Sequence, residues 1–271
     1  MHNLSLVLFT CLSQAAVGMI LLLALLPAKA ETGIPRSNVI LDRLHMPEGF
    51  AIATALVLLG LGVLFSLLHL SDPFISFYSI ANIATSWLSR EILFVGFFGF
   101  ATLALFFFRN RALGFAAAIF GLGLVYVMSN VYMTPPVPFW KTPATLWVFL
   151  STCLLLGSAT LLLVRTYGNA GSRLLPVIVV IAAGLRLIFG FWQVTAGPAA
   201  ISDVKLLYVH LGCTVLALVI LFRMVQYRQK DAGETSASRA PASVFAVALL
   251  LWIAEISARF LFYDAMSSFT M

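Results

Sequence analysis

Eight stretches of about twenty residues, each almost free of charge, divide this chain and restrict it to very few folds. Inside hydrocarbon no water can satisfy a backbone N–H or C=O. A spanning segment must therefore satisfy its own groups as a helix, or close into a barrel. Barrel strands are shorter and alternate apolar with polar residues, whereas these runs are continuously apolar. They cover residues 4–26, 48–70, 90–108, 112–132, 143–164, 174–194, 204–223 and 242–266. The expected fold is an all-α integral membrane protein, a bundle of about eight transmembrane helices in contact with the lipid bilayer. No connecting segment is long enough to hold a soluble fold and no internal repeat is visible, so residues 1–271 read as a single polytopic membrane domain. The composition agrees: 62% hydrophobic, 10% charged, mean hydropathy +1.04.

A net charge of +6 is compatible with a nucleic-acid partner, but the basic residues fall in the short connections between spans, where membrane topology places them. No nucleic acid is expected. Eleven Lys and Arg residues lie in the connections after the first, third, fifth and seventh runs, against three on the opposite face. The positive-inside rule then puts both termini outside, on a bacterial inner (cytoplasmic) membrane crossed many times. The first run resembles a secretory signal, with Ala28-Lys29-Ala30 as its cleavage site. It lacks a basic leading segment and is too long for that role, so a retained span is expected. Residues 74–83 read as a short interfacial helix, residues 134–138 as a proline-rich loop, and Trp140 and Trp147 as interface markers.

Polar groups inside lipid are the functional candidates. His69 ends the second run and Glu91 opens the third, which places both at neighbouring helix ends on one membrane face. An imidazole and a carboxylate at the edge of hydrocarbon suit a molecule that is apolar and carries protons, and quinol fits. The alternative is two interfacial residues capping helix ends. Six more residues are candidates for a pocket or for structural support: Gln14, Arg186, His210, Glu255, Arg259 and Tyr263. Glu255, Arg259 and Tyr263 share one helix face, where Glu255 and Arg259 are spaced to neutralise one another. Arg186 either pairs with Glu255 or snorkels. Gln14 is expected to face other helices. Under the assigned orientation these groups crowd the outer half of the membrane, suggesting a cleft open to that side.

Cys11, Cys153 and Cys213 are far apart in sequence and form no Cys-x-x-Cys, so neither an iron–sulfur cluster nor a metal site is expected. A haem-b anchor would have only His69 and His210 as ligands, one haem at most. A polytopic transporter would use Arg186 and Glu255 as its substrate site, yet no broken helix or inverted repeat is visible.

Several local sequences resemble the DmsC family, the membrane anchor subunit of anaerobic dimethyl sulfoxide reductase. They are Gln14-Ala15-Ala16-Val17-Gly18, Leu68-His69-Leu70 with Pro73, Leu88-Ser89-Arg90-Glu91-Ile92, and Ala254-Glu255-Ile256-Ser257-Ala258-Arg259-Phe260-Leu261-Phe262-Tyr263. In the last, alanines replace the glycines of the family pattern and the spacing to Phe-Tyr is kept. Arg186 stands outside that pattern. The resemblance implies an anchor that binds and oxidises menaquinol and passes electrons to a partner iron–sulfur subunit in anaerobic respiration. A molybdopterin catalytic subunit would carry the terminal reductase chemistry. It also implies that His69 and Glu91 are the quinol-binding and proton-transfer pair. Whether the protein is a quinol-oxidising subunit or a non-catalytic anchor stays open, as does the terminal acceptor.

Overall fold

A computed structural model describes residues 2–26, 47–68, 82–134, 137–167, 174–196, 203–230 and 235–265. Among them are eight helices and no strand: α1 (His2–Leu25), α2 (Pro47–Leu68), α3 (Trp87–Phe108), α4 (Arg111–Met133), α5 (Ala144–Tyr167), α6 (Leu174–Ala196), α7 (Val204–Lys230) and α8 (Thr235–Asp264). All eight are long and apolar enough to cross a membrane. The expected interfacial helix at 74–83 falls mostly outside the described residues, as does His69.

Helices α1 and α5 form the spine of the bundle. Their most apolar stretches are 72% and 78% buried, against 22–50% for the other six. α1 packs on α2, α4, α5 and α8, and α5 packs on α1, α4, α6 and α8. The two backbones meet at Gly18 and Gly157. A Cβ on Gly18 would collide with the Cys153 carbonyl, and one on Gly157 would collide with the Gly18 backbone. Water drives no association between helices in lipid. Close backbone approach across small residues supplies the dispersion contacts instead.

Helix boundaries follow local chemistry. Ser86 caps α3, its side chain accepting from the Ser89 N–H at 3.3 Å, and Arg90 folds back onto the Ile83 and Ala84 carbonyls and over the Trp87 ring. This starts α3 three residues earlier than the expected residue 90. α3 and α4 are joined by only two residues. Arg109 takes the left-handed conformation (φ 50°), its N–H bonding to Leu105 O at 3.0 Å, and Asn110 caps α4 through the Ala112 N–H at 2.8 Å. One of the two cations expected in the connection after the fifth run, Arg165, lies inside α5 and donates to Leu26 O at 2.8 Å.

Candidate functional site

The interior polar groups gather toward the end of the bundle where α1 starts and α8 stops. At its rim is Glu91, in the second turn of α3. The longer α3 moves it off the helix end, where the sequence placed it, and into the protein: it is 5% exposed. No hydrogen-bond partner reaches its Oε1 among the described residues. Its expected companion, His69, follows the last described residue of α2, and α2 packs against α3.

Glu91 lies within electrostatic reach of Tyr132, near the end of α4. The Tyr263 hydroxyl donates to the Tyr132 hydroxyl at 2.7 Å and lies 3.5 Å from Thr10 Oγ1, so α1, α4 and α8 are tied together by hydroxyls. Around them close Trp140, Phe149 and Phe262, with ring centroids 5.5–5.7 Å from Tyr132. Trp140 is thus not an interface marker. It is 3% exposed, and its indole N–H donates to Phe262 O at 2.7 Å, with the turn at 137–141 holding it inward. Trp147, 45% exposed, does face outward.

Arg259 lies beneath this cage. Its Nη2 donates to Gln14 Oε1 at 2.8 Å, and its guanidinium sits 4.1 Å from the Phe149 ring centroid. Gln14 therefore faces another helix, as expected of an amide in lipid.

The expected Glu255–Arg259 pair is not formed. Four residues of helix advance the azimuth by about 40° and the height by one turn. Glu255 thereby turns to α5 and α6, while Arg259 reaches α1. Glu255 Oε2 accepts from Arg186 Nε at 3.0 Å and from Thr152 Oγ1 at 2.8 Å. Arg186 pairs and does not snorkel. His210, on α7, completes the cluster with Nδ1 3.0 Å from Ala254 O.

The structure thus brings Gln14, Arg259 and Tyr263 into one network and Arg186, Glu255 and His210 into another. Nothing in the sequence marks Thr152, since one threonine in an apolar helix usually bonds its own backbone. Tyr132 carries a weak sign, an aromatic at a span end. No group of three or more His, Cys, Asp or Glu able to hold a metal occurs among the described residues. The arrangement suits proton acceptance at Glu91 and charge neutralisation deeper in the bundle.

The family model for the DMSO reductase anchor subunit (DmsC) matches residues 1–265. The protein is 26% identical to the C subunit of the anaerobic dimethyl sulfoxide reductase of Haemophilus influenzae over 291 aligned positions, which cover 100% of this sequence and 97% of the relative. It is 27% identical to the YnfH subunit of an anaerobic dimethyl sulfoxide reductase of Escherichia coli over 248 positions, covering 80% and 84%. With eight membrane-spanning helices matched almost end to end, the chain belongs to the DMSO reductase anchor subunit family, as the multi-pass membrane anchor of a reductase complex with catalytic and electron-transfer partner subunits.

Proposed function

We propose that this anchor binds and oxidises menaquinol at Glu91 and His69 in the bacterial inner membrane, and passes the electrons to an iron–sulfur partner subunit. A molybdopterin subunit then reduces the terminal acceptor in anaerobic respiration. The observation that carries this reading is the buried Glu91 carboxylate, whose Oε1 has no hydrogen-bond partner among the described residues. A buried acceptor left open is costly unless a ligand or a proton fills it.

Quinol gives up two electrons and two protons as its two hydroxyls become carbonyls. One proton passes to Glu91 and the other to the imidazole of His69, each breaking an O–H bond of the quinol. Both electrons leave for the first cluster of the partner. The sequence carries no Cys-x-x-Cys or other cluster motif, so the first cluster of the partner is expected to dock near the quinol. By the charge asymmetry of the connections, that is the outer face.

Glu91→Gln keeps the side-chain shape and removes the proton acceptor. Menaquinol-dependent turnover of the assembled complex should fall about a hundredfold or more. An artificial donor that reduces the partner directly should still support turnover. Undiminished menaquinol turnover in Glu91→Gln would overturn the assignment.

A further inference from the structure

Helices α6 and α7 are consecutive, yet they touch at few points, and α6 hardly approaches α8 at all. α7 leans on α8, and α6 leans on α5. The two pairs therefore diverge on this side of the bundle, and Arg186 reaches across the gap to Glu255 at mid-membrane. On the face of α6 that carries Arg186, a Cβ on Gly190 would meet only the Arg186 guanidinium within 4 Å, and no atom of α7 or α8. Large apolar residues on both helices, Ile188 and Val215 among them, face outward.

The polar atoms at the back of this seam are only half used. Glu255 Oε2 takes two hydrogen bonds, but Oε1 is buried with no partner among the described residues. Arg186 spends only Nε on the pair. Its Nη1 points along the bare side of Gly190, 2.7 Å from where a Cβ would be. The Ala254 carbonyl can only accept, so His210 Nδ1 carries the hydrogen. In the neutral ring Nε2 is then an acceptor, and it has no partner among the described residues.

The seam thus offers open donors on Arg186 and open acceptors on Glu255 and His210, with its charges already balanced. A phosphate would face Glu255 and an ammonium would face Arg186. A neutral head bearing two hydroxyls, each able to donate its hydrogen and to accept on its oxygen, on an apolar tail that enters sideways from lipid, meets every open group.

We propose that the α6–α7–α8 seam is a second binding site for a quinol-class headgroup, separate from Glu91. Arg186 donates to a hydroxyl oxygen of the quinol, and Glu255 Oε1 and His210 Nε2 accept from its two hydroxyls. The ligand class rests on the function proposed above; the site itself does not.

The test is photolabelling of the assembled complex in native membranes without a terminal acceptor, using a diazirine-bearing menaquinol analogue with an isoprenoid tail and peptide mapping of the labelled positions. Label is expected on α6 and α7 peptides, competed by unlabelled menaquinol. It should weaken about tenfold in His210→Phe, which keeps ring bulk but loses the acceptor. Wild-type label absent from α6 and α7, or label there that menaquinol does not compete or that His210→Phe does not change, overturns the site. If His210→Phe fails to assemble, the competed wild-type label decides. Label at α3 alone would sink this site and spare the Glu91 reading. Competed label at α6 and α7 with full turnover in Glu91→Gln would do the reverse.

Discussion

At the residue scale, Glu255 shows what holds a carboxylate inside lipid. Its charge is met by Arg186 at 3.0 Å and by Thr152 at 2.8 Å, from two other helices. Removing one partner of a buried pair leaves the other uncompensated, which costs about 3–5 kcal/mol. Arg186→Leu should therefore cut the yield of assembled complex sharply. The double variant Arg186→Leu with Glu255→Leu should recover much of it, as read by the thermal stability of the purified complex; equal loss in both variants would contradict the pairing. The residues of this network were legible in the sequence, because charges in apolar runs stand out. The Arg186–Glu255 pair was one of two readings open for Arg186, whereas Thr152 carried no sign. Helical spacing fixes the face of Glu255 and Arg259, but which neighbouring helix meets that face depends on packing, and so Arg259 lies with Gln14 and Phe149. Glu91 was legible as an ionisable residue at the edge of a span, and its burial was not.

At the element scale, all eight spans were readable within a few residues because hydrocarbon thickness sets their length. A shift of three residues at one boundary has the largest consequence. Residues 86–89 read as connection, but the Ser86 cap and the folded-back Arg90 make 87–90 a first helical turn, which draws Glu91 under cover. Order of packing was unreadable, since every run is apolar. What sets it at the centre is the contact of Gly18 with Gly157. Gly157→Val would push α1 from α5 against backbone on both sides. A loss of about 3 kcal/mol, the upper end of ordinary overpacking, is expected. The measurement is complex recovered from membranes, and near wild-type yield would contradict a backbone contact there.

At the scale of the whole molecule, polarity is lopsided. Glu91, Tyr132, Tyr263 and Gln14 crowd toward one end, and the other end is fastened by Arg165 to Leu26. Under the proposed orientation the crowded end faces outward. Lys141 is exposed beyond that end, ahead of α5, and Arg111 is exposed at the other end, where α4 begins. In a background with Cys213→Ser, an impermeant thiol reagent added to intact cells should label Lys141→Cys and leave Arg111→Cys untouched; the opposite pattern would invert the molecule and move the partner to the other face. The most direct test of the central claim is the infrared difference spectrum of the complex on menaquinol oxidation. A protonated-carboxyl stretch should appear in the native protein and be missing in Glu91→Gln, whereas the same band persisting in that variant would mean that another group takes the proton.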